Sequence, residues 1–269
     1  PEQLLTAYAV AGGLPRYLAE VAGAADPVAR LSSLCLDPHG PLFDEPRAIL
    51  AQELEVPHTY FSILSVLASG PQPWRALVSR SGVESTHLAR YLRTLENLGL
   101  VTSKAPVTDT AVGRNKLYEL DDGFLRFWFR FVFPFQADLE AGLAAATVLS
   151  TEIRPDLAGH LAPAIEEIAR DWVRRTGFAG ATRVGSWWGP ALDVFRASGE
   201  RTSEEIDVDS ANRRSRHAVV RIKDVVATKA GVECDLGPRP GTMQVGTVGD
   251  SGREACRDPS NRNRGLPPR

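Results

Sequence analysis

Between Phe61 and Val101 apolar residues recur at helical spacing in three successive runs separated by polar or glycine-containing breaks. The first run, Phe61 to Ala68, stops at Ser69-Gly70. A short second run goes from Pro73 through Trp74, Ala76, Leu77 and Val78 to Ser81-Gly82. In the third, Leu88, Tyr91, Leu92, Leu95 and Leu98 form the inward stripe. Glu84, Ser85, Thr86, His87, Arg90, Arg93 and Thr94 are left on the other face. Gly99 stops this helix, and the pattern changes to strand at Leu100-Val101-Thr102 and again at Lys116 to Leu120, across a polar loop from Pro106 to Asn115. Three helices and a hairpin predict a winged helix over 57–120. Such a module can set its third helix in a DNA major groove, which makes Thr86, His87, Arg90 and Arg93 candidate contacts and duplex DNA a candidate partner. The same architecture also serves as a protein-contact or spacer module.

On the N-terminal side, Leu4, Leu5, Tyr8 and Ala9 predict the apolar face of a first helix, which Gly12-Gly13-Leu14-Pro15 breaks before Tyr17, Leu18 and Val21 resume. Pro27 to Leu36 and Pro46 to Leu54 predict two more amphipathic helices. On the other side, Asp121 to Val132 carries rings on more than one face of a helix, a density that demands burial against another domain. Leu139 to Leu149 reads as an Ala-rich helix. Pro163 to Thr176 reads as another, with Ile165, Ile168, Ala169, Trp172 and Val173 inward. Strands are expected at Arg183 to Trp188, Glu205 to Val208 and Ala218 to Lys223. Trp187 and Trp188 read as one core and one interface residue, in preference to a base-stacking platform.

Composition narrows the function classes. With 269 residues and 43% hydrophobic content the chain is long enough for two domains. A formal net charge of −2 argues against a uniformly basic nucleic-acid coat and leaves only local patches. Cys35, Cys234 and Cys256 form no CxxC pair, so neither a zinc site nor a disulfide framework is indicated, and a reducing cytoplasm is the expected location. No apolar run approaches the roughly 20 residues that span a bilayer, and Arg126 and Arg130 interrupt the aromatic run, so no membrane partner is expected. The missing initiating Met predicts a chain that begins part-way through something larger. Beyond about Ala211, arginines sit among Gly, Pro and Ser without apolar period, which predicts a disordered, solvated tail over 231–269.

Taken in order, Tyr8-Ala-Val-Ala-Gly-Gly-Leu-Pro-Arg-Tyr-Leu18, the predicted winged helix ending at Val101, and Tyr118-Glu-Leu-Asp-Asp-Gly-Phe-Leu-Arg-Phe-Trp-Phe-Arg-Phe-Val132 resemble the C-terminal half of the archaeal-type ATPases, P-loop NTPases of the AAA-like STAND group. Glu166-Glu-Ile-Ala-Arg170, Val184-Gly-Ser-Trp-Trp188 and Glu205-Ile-Asp-Val208 look like the domain of unknown function that commonly ends them, which is similar to restriction-endonuclease-like nucleases. The resemblance covers about Leu4 to Val208. It implies a helical lid remnant (1–56), the winged helix (57–120), an aromatic helical connector (121–150) and an incomplete, degraded nuclease-like α/β domain (151–230). The fold class expected is therefore α+β, mostly helical.

The resemblance also implies chemistry. In the family a Gly-rich loop with a Lys holds ATP over Mg²⁺, and no such loop occurs in this sequence. ATP and Mg²⁺ are thus expected only when an NTPase core is supplied in cis or in trans. Gly13 and Pro15 would then lie near the adenine, with Arg16 toward the phosphates. A nuclease of this type needs a helix carboxylate, a strand-end Asp and an acid-x-Lys strand. Glu166 and Asp207 match the first two places and Lys223 the last, but Arg221 stands where the second metal-binding acid belongs, and a cation there repels the metal. A shifted reading frame after Val208 is a second route to the same loss. The reading that follows is a regulatory and effector fragment, inactive alone, that couples nucleotide state to the winged helix. The alternatives are a winged-helix DNA-binding regulator and a Mg²⁺-dependent nuclease.

Overall fold

Four helices of the N-terminal half open on a proline at their first or second position, where the missing N–H is no loss and the fixed φ is already helical. They are α2 (Pro15–Val21), α3 (Pro27–Cys35), α4 (Glu45–Glu53) and α5 (Pro57–Ala68), which follow α1 (Glu2–Ala11). Asp26 adds a side-chain cap to α3, accepting from the Ala29 amide at 3.0 Å. The computed structural model describes residues 2–106, 115–176, 183–190, 203–211, 218–220 and 246–247.

The middle of the chain runs β1 (Gln72–Pro73), α6 (Trp74–Ser81), α7 (Ser85–Asn97), β2 (Val101–Lys104) and β3 (Leu117–Leu120). The sequence pattern predicted a two-stranded hairpin, and the sheet has three antiparallel strands in the order β1-β3-β2. The extra strand is two residues long, too short to show a period; it pairs Gln72 with Tyr118 and Pro73 with Leu117. Gly82 and Gly99, at φ +71° and +69°, end α6 and α7 in the left-handed region. Leu88, Leu92 and Leu95 are buried and Tyr91 is half-buried, as the stripe predicts, but Leu98 is 40% exposed because it lies past the last helical turn.

Next comes α8 (Gly123–Phe131), whose Phe124, Phe127, Trp128, Phe129 and Phe131 are all buried. Asp122 caps it, accepting from the Leu125 amide at 2.7 Å. The rings reach in several directions. Phe124 meets Tyr17 at 4.0 Å, Phe129 meets Phe61 edge-on at 5.6 Å, and the Trp128 indole N–H donates to the Phe43 carbonyl at 2.9 Å. One continuous apolar core, from Ala7 to Ile153, gathers around this helix.

A 3₁₀ turn (133–135), α9 (Gln136–Glu140), α10 (Ala145–Val148) and a π-helical turn (149–153) lead into α11 (Arg154–Thr176). Two expectations need correction here. The Ala-rich stretch 139–149 is not one helix, because Gly142 at φ +103° breaks it. The next helix starts nine residues before Pro163, which sits inside α11. Within α11 Val173 is buried against Ile165, Ala169 and Val184, whereas Ile168 and Trp172, expected inward, are 45% and 46% exposed. At the N-terminus Leu4 is 75% exposed, and Ala7, Val10 and Ala11 take the core positions instead.

Four further strands, β4 (Arg183–Pro190), β5 (Ser203–Ala211), β6 (Ala218–Val220) and β7 (Gly246–Thr247), form an antiparallel sheet in sequence order. The expected strands at 183–188 and 205–208 are present, and of the one expected at 218–223 residues 218–220 form β6 while 221–223 lie outside the described residues. β7 gives two residues of the region read as a disordered tail a place beside β6; the rest of 231–269 lies outside the described residues. The fold is α+β and mostly helical.

The helices α1 and α8 cross with their backbones in close approach. A Cβ on Gly123 would lie 2.9 Å from the Ala9 carbonyl oxygen and 3.1 Å from the Gly12 Cα, both backbone atoms that cannot swing aside. Gly123→Ala is therefore expected to cost about 1–3 kcal/mol through overpacking, read as a lowered urea midpoint. An unchanged midpoint would show that α1 does not rest on α8 in this way.

Candidate functional site

The residues singled out as DNA contacts share one exposed face of α7. Thr86, His87, Arg90 and Arg93 all point to solvent. Two carry acidic company, since Arg90 lies 3.8 Å from Glu55 and His87 lies 3.8 Å from Glu84. Both pairs are long and solvated, a geometry worth about 0–1 kcal/mol. Beside this face an open cleft of about 430 Å³ runs between α5 and α7, lined by His58, Ser62, Gly82, Glu84, His87 and Tyr91.

The turn at Gly13, Leu14, Pro15 and Arg16 is also exposed. Arg16 reaches Glu45 at 2.8 Å, and Glu45 is the more buried partner. The Glu45 carboxylate sits against Tyr17 and Cys35: burial first, and Glu45 second, pushes the Tyr17 hydroxyl up to about 12 and the Cys35 thiol well above its ordinary range. Cys35 is buried and inert as a thiol.

Sequence reasoning missed a second place where charge gathers. Gly12 and Gly13 from the end of α1, Thr102 and Lys104 from β2, Glu119 from β3, Arg126 from α8, and Ala164, Glu167, Arg170 and Arg174 from α11 enclose a cavity of about 250 Å³. Lys104 and Glu119 form an ion pair across the β2–β3 ladder. Arg170, almost wholly buried, donates to Ser186 at 3.0 Å and lies 3.5 Å from Glu166. Burial, then the hydrogen-bonded Glu167 carboxylate, raises the Tyr8 hydroxyl. Desolvation raises the Asp122 carboxyl and lowers the Arg126 guanidinium, against the pull of nearby Glu119, Asp122 and Glu167. Arg126 is 8% exposed; it donates to the Leu120 carbonyl at 3.4 Å, and its Nε has no hydrogen-bond partner. The signal for this cavity was present in the sequence as Arg126 inside a run of rings.

The nuclease-like residues are only partly described. Glu166 lies on α11, half-buried, with Arg170 beside it. Asp207 lies within β5, between β4 and β6, and its side chain is outside the described residues, as are Arg221 and Lys223. Among the described residues no group of three or more His, Cys, Asp or Glu side chains could hold a metal. Trp188 donates its indole N–H to the Asn115 carbonyl at 3.0 Å, tying β4 to the end of the 106–115 loop; the Trp187 side chain is outside the described residues. No helix among the described residues is long and apolar enough to cross a membrane.

Comparison with known proteins places this architecture among chains of unassigned role. Residues 128–225 match DUF234, a family described as archaeal and bacterial proteins of unknown function. The match starts inside α8, so the aromatic helix belongs in part to the same sequence unit as α11 and the second sheet. The chain is also similar to an uncharacterised protein of Methanocaldococcus jannaschii, MJECL04, at 24% identity over 237 residues. That alignment takes in 83% of this chain and 49% of the relative, so the chain spans about half the length of the curated relative it matches.

His160 supplies a pH test of the packing around this site. It is buried, with the Phe127 and Phe131 rings edge-on at 5.6 Å and the Ala9 backbone as its polar neighbour. Desolvation, then Arg126 and Arg130, hold its pKa well below the usual value. The unfolded chain takes up this proton near pH 6.5 and the folded one does not, so stability is full above about 6.5 and falls as pH drops below it, by about 1.4 kcal/mol per pH unit for one proton. His160→Met should remove one proton's worth of that slope in urea titrations between pH 7.5 and 5; equal slopes would mean that His160 titrates in the folded state as it does in water.

Proposed function

We propose that this chain is the regulatory and effector portion of an archaeal-type ATP-binding protein, in which a nucleotide-binding core, in cis or in trans, acts on the exposed turn at Gly13, Pro15 and Arg16 and α1 relays the change. What supports the reading is the position of α1: it carries that turn at its C-terminal end and packs on α8, on α3 and along α11. A packed interior passes displacement on instead of absorbing it, so a shift of the turn has to be taken up by α8 and α11 together. ATP and Mg²⁺ would belong to the core, and Arg16, held only by Glu45 at its exposed end, has the reach to exchange that partner for a phosphate.

Limited proteolysis tests the relay. With an NTPase core supplied, ATP·Mg²⁺ is expected to alter cleavage around Gly12 to Arg16 and between α11 and β4, and Arg16→Ala to abolish the difference. Digestion patterns that are identical with and without ATP would sink it.

A second reading, duplex DNA binding by α7, is favoured by one observation: all four predicted contact residues share an exposed helix face. Fluorescence anisotropy with duplex DNA at two salt concentrations should then show salt-sensitive binding. Arg90→Ala/Arg93→Ala should weaken it across sequences and lower the salt slope by about 2, one per lost phosphate contact. Salt-insensitive binding, or a double variant indistinguishable from the parent, removes this reading.

A further inference from the structure

The cavity at the junction of α1, β2, β3, α8 and α11 has a composition that a solvated surface cleft has no reason to have. Among the described residues its cations are Lys104, Arg126, Arg170 and Arg174. Its carboxylates are Glu119, Asp121, Asp122 and Glu167, the same number. Most of these are satisfied within the protein. Lys104 pairs with Glu119, Asp122 caps α8, Glu167 takes the Tyr8 hydroxyl, Arg170 holds Ser186, and Arg174 leans on the Val184 carbonyl at 3.5 Å.

Two groups of opposite sign are left over. Arg126, more than nine-tenths buried, lines the cavity with a guanidinium that makes one long hydrogen bond, to the Leu120 carbonyl at 3.4 Å, while its sealed Nε–H meets no acceptor, so its charge is under-compensated within the protein. Asp121, five residues earlier at the end of β3, is exposed at the same cavity and makes no ion pair within 4 Å among the described residues. An anion alone would satisfy Arg126 and face four carboxylates. A cation alone would satisfy Asp121 and face four basic side chains. A molecule carrying one charge of each sign is complementary to both. The volume, about 250 Å³, lies just below the range of about 300–1,000 Å³ that suits drug-sized ligands, so the occupant is small.

We propose that this cavity is a binding site for a small dipolar metabolite bearing a carboxylate and an ammonium group, as a free α-amino acid does. The carboxylate pairs with the Arg126 guanidinium, one of the lining side chains, and the ammonium donates to the exposed Asp121. Gly13 lines the cavity from the exposed turn, where an added Cβ would meet nothing nearer than a Tyr8 ring carbon at 4.0 Å. Because α1, α8 and α11 all line the cavity, an occupant bridges the elements through which α1 would pass a change to the C-terminal part. The inference does not depend on nucleotide relay, and its test uses the chain alone.

The measurement is a thermal-shift and calorimetric titration of the 269-residue chain with L-alanine, L-glutamine and L-arginine, against propionate, inorganic phosphate and propylamine as single-charge probes. Saturable binding and a raised melting temperature are expected with at least one amino acid and with none of the single-charge probes. Arg126→Met and Asp121→Asn should each weaken that binding by about tenfold to a hundredfold, the loss expected for one charge-assisted hydrogen bond. Gly13→Leu, which fills the cavity from an exposed turn, should abolish binding while leaving the unliganded melting temperature unchanged, and it decides the matter if Arg126→Met does not fold. Equal binding of propionate or phosphate would overturn the dipolar assignment in favour of a plain anion site. No saturable response to any probe, or undiminished binding by Gly13→Leu, would show that the cavity holds only water.

Discussion

The structure depends on how a helix with rings around most of its circumference is buried. Only the Arg126–Arg130 stripe interrupts the rings of α8, which spread over the rest of its circumference, so no single partner surface can cover them. The chain surrounds it: Tyr17 from α2, Phe43 before α4, Phe61 from α5, Phe133 after it and His160 from α11 all touch its side chains. Fully burying each large apolar side chain contributes about 1.5–3 kcal/mol, and five such rings in nine residues make this helix a large local source of stability. The close glycine crossing with α1 follows from the same demand, because a helix enclosed on all sides leaves backbone room only where side chains are missing.

That constraint explains which parts of the fold could be read in advance. Periodicity located α5, α6, α7 and the strands around the 106–115 loop, because each of those elements has one wet and one dry face and so writes its orientation into the sequence. It misplaced Leu98 at the last turn and Leu4 at the first, since a period continues on paper past the point where the helix leaves the core. It also divided 139–176 wrongly. Pro163 reads as a helix start, but its lost hydrogen bond is tolerated in the interior of α11, and only the positive φ at Gly142 marks the true break.

The candidate sites were legible to different degrees for the same reason. Thr86, His87, Arg90 and Arg93 fall on one face because helical spacing alone puts them there. The cavity could not be found that way, since its walls come from α1, β2, β3, α8 and α11, separated by more than a hundred residues. What the sequence did show was an anomaly: Arg126 in the second turn of an aromatic helix. A charge in such a place costs several kcal/mol of desolvation unless something compensates it. Glu119, Asp122 and Glu167 lie close enough to favour the charged form, yet the guanidinium is still pulled below its ordinary range, which marks the compensation as incomplete.

Incomplete compensation also orders the functional readings. A polar seam that was merely structural would be expected to close its hydrogen bonds internally, as Asp122 and Arg170 do. This seam leaves a buried charge under-compensated where α1, which carries the exposed turn at Gly13 to Arg16, meets α8 and α11. An occupant that compensated that charge would stabilise whichever arrangement of the three helices holds it best, so the proposed occupancy and helix position would be linked. On that argument the exposed face of α7 is the less informative site, because its solvated residues can be changed without cost to the core. The seam cannot, and a change there has to be registered in the packing of α1, α8 and α11.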